Sequence, residues 1–272
     1  AESVVDGGIG VVAPLDARDG AILYGVFGMP RRMGIDLFYR DSVSQEPELL
    51  FRGAQGLVDA PTLLPWPSGR DAARRSVERG AALWGEGTTN DFSGTNKVRM
   101  YHQRRVETLW ESASETPYAL YLRAGRALWT TTQGNNLWLG MPDTPAVQLT
   151  QSGAGHPVLT RDAAWWVEDH VLVRYDLETD EKTIAWRGPC GELVADDYQV
   201  AGLCDPEVEE STEWFRGPGR IVVFDGTKRT ELDLRNGGAM NIQLVGRRVL
   251  WAEYPPGVGG CDDPGEGELV LG

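Results

Sequence analysis

The chain has 272 residues, of which 41% are hydrophobic and 24% charged, a composition typical of a globular protein with a large core. Its formal net charge of −14 disfavours binding to nucleic acid or to an anionic membrane surface, because phosphate groups would be repelled. No apolar run reaches the roughly 18 residues that would predict a membrane-spanning helix. The acidic charge is explained by its effect on solubility. The alternative is that it attracts a cation or a basic partner.

The first residues, AESVVDGG, contain no basic segment followed by an apolar one. If the protein is exported, we expect that its signal has been removed, and Ala1 suits a cut after a small residue. We therefore predict a secreted, periplasmic or cell-envelope protein without membrane insertion. It would act as a monomer or as one domain of a larger chain.

A short pattern of small, apolar and aromatic residues recurs along the chain. The copies are AILY (21–24), AALW (81–84), RALW (126–129), AAWW (163–166) and RVLW (248–251). The interval from Trp166 to Trp251 is about twice the period of roughly 40–45 residues per propeller blade. We therefore predict a degenerate copy at 198–203, which brings the number of units to six.

The segment 118–150 serves as the template of a unit. It contains YALYLRAG, RALWTTTQG, NLWLGMP and AVQLT, separated by turn residues, and predicts four short antiparallel strands. We name them a, b, c and d from the propeller axis outward, so that the aromatic strand is b. Consecutive apolar residues in b predict burial on both faces.

The pattern predicts an all-β fold: a single domain, 1–272, that forms a six-bladed β-propeller. The predicted blades span about 8–53, 54–112, 117–151, 156–188, 192–235 and 240–272. The sixth unit lacks a d strand, and residues 2–7 are expected to supply it and close the ring; the alternative is a truncated chain.

Residues 70–80, RDAARRSVERG, look helical and predict a surface insertion between strands a and b of the second unit, with a docking site as the alternative.

Two of these units resemble the TolB-like and prolyl-oligopeptidase-type propeller repeats, through NLWLGMPDTPAVQLT (136–150) and VLVRYDLETDEKTIAW (171–186). The resemblance implies a propeller that binds protein or peptide, often in the bacterial envelope. Some members of that group are attached to a serine-hydrolase module. The present sequence contains no G-x-S-x-G nucleophile motif, and the predicted blades account for all of it.

Long loops and the cysteines are predicted to lie on one face. The b–c loops at 25–35, 85–96, 204–219 and 252–267 are long, whereas the c–d turns are short, so the face carrying the b–c and d–a connections is the expected binding face. Cys190 and Cys204 are predicted to form a disulfide, which would stabilise the fold by about 2–3 kcal/mol. Pairing of Cys204 with Cys261 and three free thiols stay open as alternatives.

Candidate ligand residues come from the same loops. Aromatic and polar side chains suited to a peptide or sugar contact are Trp214, Phe215, Tyr254, Glu213, Asn90 and Asp91. The acidic clusters that contain Asp205 with Glu207 and Asp262 with Asp263 offer oxygen ligands for calcium, although neither has the spacing of an EF-hand. A solvated loop is the favoured explanation of each cluster, so no cofactor is predicted, and calcium is the candidate ion.

We therefore predict a non-catalytic binding or scaffold propeller that recognises a protein, a peptide or another ligand through its loop-rich face. The alternative is a propeller hydrolase or lyase that uses carboxylates or a bound metal at the central channel. Calcium and EDTA titrations are expected to distinguish the two.

Overall fold

The computed structural model describes residues 2–5, 8–28, 35–42, 44–51, 62–63, 75–87, 94–151, 153–204, 219–234, 238–245, 248–254 and 268–271. These residues form strands and the turns between them, and no helix occurs among them. The strands belong to two compact units, Ala1–Ser152 and Gly153–Gly272.

Three antiparallel sheets make up the described part of the first unit. The first contains β1 (Glu2–Val5), β2 (Gly8–Arg18), β3 (Ala21–Gly28), β4 (Ile35–Arg40) and β5 (Glu48–Phe51). The second contains β6 (Thr62–Leu63), β7 (Arg75–Glu78), β8 (Ala81–Gly87), β9 (Asn96–His102) and β10 (Arg105–Ser112). The third contains β11 (Pro117–Arg123), β12 (Arg126–Thr131), β13 (Leu137–Gly140) and β14 (Val147–Gln148).

The described part of the second unit also forms three sheets. The fourth sheet contains β15 (Gly155–Leu159), β16 (Ala163–Glu168), β17 (Val171–Asp176) and β18 (Lys182–Arg187). The fifth contains β19 (Cys190–Ala195), β20 (Gln199–Cys204), β21 (Arg220–Asp225) and β22 (Lys228–Asp233), and the sixth β23 (Gly238–Val245), β24 (Arg248–Tyr254) and β25 (Glu268–Leu271). The degenerate copy predicted at 198–203 is therefore confirmed, because β20 is the second strand of the fifth sheet.

The predicted role of the N-terminal residues is wrong. Residues 2–7 were expected to complete the sixth unit, but β1 pairs with β2, with Glu2 opposite Val11 and Val5 opposite Gly8. Pairing with the next strand costs less loop-closure entropy than pairing with the far end of the chain. The sequence Asp6-Gly7 between two apolar stretches is a hairpin signal that favours this local pairing.

The helix predicted over residues 70–80 is also wrong where the structure describes it. Residues 75–78 form β7, which pairs with β8 so that Glu78 lies opposite Ala81. Val77 is fully buried, and the turn ends at Gly80, whose positive φ of 83° suits glycine. Because β6 and β7 both pair with β8, the insertion lies within strand a, between residues 63 and 75, and not between strands a and b.

Strand a carries a β-bulge at the same place in sheets three to six. Two of its residues lie opposite one residue of strand b, and that single residue occupies the aromatic position of the repeat: Trp129, Trp166, Gly202 or Trp251. In the third and fourth sheets the bulge begins at Ala119 and His156, which have positive φ values of 50° and 48°. In the second sheet, Arg75 of β7 lies opposite Trp84, and Leu63 of β6 lies opposite Glu86.

The consecutive apolar residues of strand b pack in two directions, as predicted. In the first unit, Ala82 and Trp84 of β8 pack with the core of the first sheet. Leu83, between them in sequence, packs with Leu120 and Trp129 of the third sheet. Successive side chains of a strand point to opposite faces, so one strand contributes to two apolar layers.

The fifth sheet has glycine where the other five copies have an aromatic residue. A Cβ atom on Gly202 would lie 2.5 Å from Cδ2 of Leu193, so the leucine occupies the space beside the glycine.

The predicted disulfide is confirmed: Cys190 and Cys204 are opposite one another on β19 and β20, with Cα atoms 4.1 Å apart, and both are buried. Pairing of Cys204 with Cys261 is thereby excluded, and Cys261 lies outside the described residues.

Candidate binding face

Most of the predicted ligand residues lie outside the described residues. They are Asn90, Asp91, Asp205, Glu207, Glu213, Trp214, Phe215, Asp262 and Asp263. Tyr254 is the last residue of β24, opposite Gly238, which places its backbone at the b–c end of the sixth sheet. In the described part of the chain, no group of three or more His, Cys, Asp or Glu residues is arranged to hold a metal ion.

At the b–c end of the third sheet, the b–c loop and the preceding d–a connection both belong to the described residues. Here the d–a connection at 113–116 is hydrogen-bonded to the b–c loop at 132–136. Thr132 donates its backbone N–H to the carbonyl oxygen of Thr116 over 3.0 Å, and the N–H of Thr116 donates to the hydroxyl oxygen of Thr132 over 3.2 Å. These reciprocal bonds fix the two connections side by side.

Amide side chains extend the same network. The Nε2 of Gln133 donates to the carbonyl oxygen of Ser114 over 2.8 Å. The Nδ2 of Asn136 donates to the carbonyl oxygen of Gln133 over 3.0 Å and approaches the Glu115 carboxylate at 3.4 Å. The hydroxyl of Tyr118 donates to the Oδ1 of Asn135.

We call this surface the polar patch. Its members are Ser114, Glu115, Thr116, Tyr118, Thr132, Gln133, Asn135 and Asn136. Ser114, Thr132, Gln133 and Asn135 are exposed, and the other four are half-buried. The patch offers neutral hydroxyl and amide groups, a phenol ring and one carboxylate, which suits hydrogen bonding to a ligand with amide or hydroxyl groups.

Asn96 anchors the patch to the second sheet. Its Nδ2 donates to the carbonyl oxygen of Glu115 over 3.2 Å and to the hydroxyl of Thr116 over 3.3 Å. The residue is only 1% exposed. The sequence does not reveal this site, because loop length points to other loops and the run TTTQGNN at 130–136 has the composition of an ordinary turn.

The opposite face of the first unit, which carries the a–b and c–d turns, holds two buried tyrosines. The hydroxyl of Tyr39 donates to Asp41 and accepts the N–H of Gly80 over 2.6 Å, while Tyr101 donates to Glu48. The ring centroids of the two tyrosines are 5.1 Å apart. Burial, followed by the hydrogen bond to Asp41, raises the pKa of Tyr39 well above its usual value. Burial and the hydrogen bond to Glu48 raise the pKa of Tyr101 to about 12.

These shifts predict a loss of stability at high pH. A raised pKa in the folded state means that the folded protein holds the phenol proton more tightly than the unfolded chain, whose tyrosines titrate at about 10. The resulting stabilisation is complete below pH 10 and is lost as the pH rises towards 12. We expect Tyr101→Phe to flatten this fall in the unfolding free energy, measured by urea titration at several pH values. An equally steep fall in Tyr101→Phe would contradict the assignment, and Tyr118→Phe is the control.

No protein-family model matches the sequence. No curated protein matches it either. Solved structures with a similar fold are found at low sequence identity. The β-propeller domain of the Trilobed protease from Pyrococcus furiosus, which has an open velcro topology, matches with a TM-score of 0.57 and 7% identity over 96% of this chain and 80% of the other.

An acylaminoacyl peptidase from Pyrococcus horikoshii matches with a TM-score of 0.55 and 8% identity over 96% of this chain. A prolyl endopeptidase matches with a TM-score of 0.54 and 12% identity over 89% of this chain. The chain has a β-propeller fold. It spans 44% of the length of the acylaminoacyl peptidase chain and 39% of that of the prolyl endopeptidase chain. The predicted all-β propeller and its likeness to peptidase propellers are thus confirmed at the level of the fold.

Within the described part of the propeller, no helix is long and apolar enough to span a bilayer.

Proposed function

We propose that this propeller is a non-catalytic recognition module that binds an extended peptide, or an exposed segment of a protein partner, through its b–c face. The polar patch carries the proposal. Its hydroxyl and amide groups match the alternating N–H and C=O groups of a peptide backbone, and Tyr118 adds a ring for apolar contact. The −14 net charge favours neutral or basic segments over polyanions.

The fold comparisons support a peptide as the ligand class. Similar propellers come from enzymes named for action on peptides, and one acylaminoacyl peptidase was solved with the peptide derivative Z-Gly-Gly-Phe-chloromethyl ketone. The buried disulfide between Cys190 and Cys204 supports an oxidising, extracellular or periplasmic setting, because such bonds persist there and are rare in the cytosol.

A second candidate is that the propeller serves as one domain of a peptidase. Inter-domain dynamics have a role in catalysis and specificity in the prolyl endopeptidases, and the present chain spans 39% of such a chain. In that case the b–c face would bind peptide segments that a separate catalytic domain hydrolyses. Peptide binding by the isolated propeller is expected in both cases, and hydrolysis only when the partner is present.

The test is selection of binding peptides from a random peptide library, followed by titration of a selected peptide into the protein. Gln133→Ala and Asn135→Ala remove exposed groups of the patch, and each is expected to weaken binding roughly three- to tenfold, the effect of one lost hydrogen bond. Tyr198→Ala is the matched control, because Tyr198 is 59% exposed at the a–b turn of the fifth sheet.

Two results would count against the proposal. One is a library that yields no specific binder. The other is a binder whose affinity falls as much in Tyr198→Ala as in Gln133→Ala, which would move the binding site away from the polar patch. Circular dichroism melting of each variant establishes that the fold is kept.

A further inference from the structure

The apolar layer between the second and third sheets ends in polar side chains at the b–c face. Val98 and Met100 of β9 pack in this layer against Trp129 of β12. Because side chains alternate along a strand, Asn96 lies on the same side of β9 as Val98 and Met100. By the same alternation, Thr131 lies on the same side of β12 as Trp129, so both polar side chains enter the end of one layer.

Three polar atoms at this place have no hydrogen-bond partner in the protein. They are Oδ1 of Asn96, Oγ1 of Thr131 and Nε1 of Trp129. Asn96 is 1% exposed, and the other two residues are fully buried. An unpaired buried polar group destabilises the folded state, so a group that pairs with all three atoms would stabilise it.

Two other sheets show a partner for the indole at this position. In the second sheet, Nε1 of Trp84 donates to Oε2 of Glu86 over 3.3 Å. In the fourth sheet, Nε1 of Trp166 donates to Oε2 of Glu168, also over 3.3 Å. Each glutamate lies two residues beyond its tryptophan on strand b. The third sheet has Thr131 at that position, and its side chain is too short to replace the carboxylate.

The orientation of Trp129 agrees with this comparison. A Cβ atom on Gly140 would lie 3.0 Å from Cη2 and Cζ3 of the indole, so the six-membered ring lies against Gly140. Gly140 pairs with Ala127, towards the a–b end of the sheet. The pyrrole ring with Nε1 is at the other end of the indole from this contact.

We propose that one water molecule is bound at this place and joins Trp129, Thr131 and Asn96. A water oxygen accepts the indole N–H, while its two hydrogens are donated to the Asn96 amide oxygen and the Thr131 hydroxyl. Water fits because it is uncharged, both donates and accepts, and is small enough to be enclosed by residues with almost no exposure. Buried waters typically make about three hydrogen bonds to such otherwise unpaired groups.

The bound water also positions the polar patch. It holds the amide of Asn96 in the orientation in which Nδ2 donates to Glu115 and Thr116. The inference itself does not rest on the proposed function, because it concerns only groups inside the layer.

The proposal is tested by whether Thr131→Val lowers or raises the equilibrium constant for folding. Thr131→Val keeps the side-chain shape and removes the hydroxyl. If the hydroxyl binds the water, the equilibrium constant for folding should fall roughly fivefold, the effect of losing one hydrogen bond. If Thr131 has no partner, removal of an unsatisfied hydroxyl should leave the constant unchanged or raise it, and either result overturns the proposal.

Thr130→Val is the matched control. The Thr130 hydroxyl is also fully buried, and it donates to the carbonyl oxygen of Tyr118 over 3.0 Å, so its removal should lower the folding constant in any case. Should Thr131→Val fail to fold, a crystal structure of the unaltered chain at atomic resolution decides. A density peak within hydrogen-bond distance of both Thr131 Oγ1 and Trp129 Nε1 is expected, and its absence refutes the site.

Discussion

Replacement of Trp84 by alanine is expected to lower the free energy of unfolding by about 3–5 kcal/mol. Trp84 is fully buried and packs with Leu23, Leu37 and Val77 in the layer between the first and second sheets. Its removal leaves a cavity in that layer. It also takes away the indole N–H that donates to Glu86, whose carboxylate forms an ion pair with Arg99. Urea unfolding followed by circular dichroism measures the loss.

Trp84→Phe separates the two contributions. Phenylalanine keeps most of the buried apolar area but cannot donate to Glu86, so we expect a loss well below that of Trp84→Ala. Tyr198→Ala, at an exposed residue, should change stability by no more than about 0.5 kcal/mol. A Trp84→Ala loss as small as that of the control would contradict the central role of the aromatic position in the core.

The fold could be predicted because the aromatic strands carry their own signature. Runs such as AALW and AAWW place apolar residues at successive positions, which is typical of a strand buried on both faces. The structure shows this for β8, where Leu83 and Trp84 enter different layers. The copy without an aromatic residue was still found, because the spacing of the others left room for one more unit.

Two strands were misassigned for local reasons. The charges of RSVERG masked the single apolar residue, Val77, that turns into the core from β7. A strand of four residues with one buried apolar side chain gives almost no periodic signal. At the N-terminus, the prediction followed the symmetry of the units and gave too little weight to the hairpin signal at Asp6-Gly7.

The binding face was harder to predict than the fold. Loop length directed the prediction to segments such as 205–218 and 255–267, which lie outside the described residues. The polar patch instead uses a short loop, and its organisation depends on bonds between Thr116 and Thr132, residues from different connections. Such pairing depends on which strands are neighbours, and composition alone does not reveal it.

One signal in the sequence does separate the third unit from its neighbours. Glutamate follows the aromatic residue by two positions at Glu86, Glu168 and Glu253, whereas the third unit has Thr131. Because alternate residues of a strand share a face, the spacing of two places the carboxylate on the indole side. The exception therefore marks the one of these copies in which the indole needs another partner.

Removal of the disulfide by the double substitution of Cys190 and Cys204 with alanine is expected to cost about 3 kcal/mol, the chain-entropy value for a closed loop of this size. The two cysteines are separated by 14 residues in sequence. The bond restricts the unfolded chain, so its loss favours unfolding even though the strands still pair. Thermal and urea unfolding under non-reducing conditions measure the effect.

Cys261→Ser is the matched control, because Cys204 is already bonded to Cys190. It should leave the unfolding free energy unchanged, and a reducing agent should destabilise this control but not the double variant. A double variant as stable as the unaltered chain would contradict a stabilising role. The fifth sheet is where such a bond matters most, because Gly202 contributes no aromatic side chain to its core. There the cross-strand link adds to the packing of Leu193 against the glycine, at the position where the second, third, fourth and sixth sheets have a tryptophan.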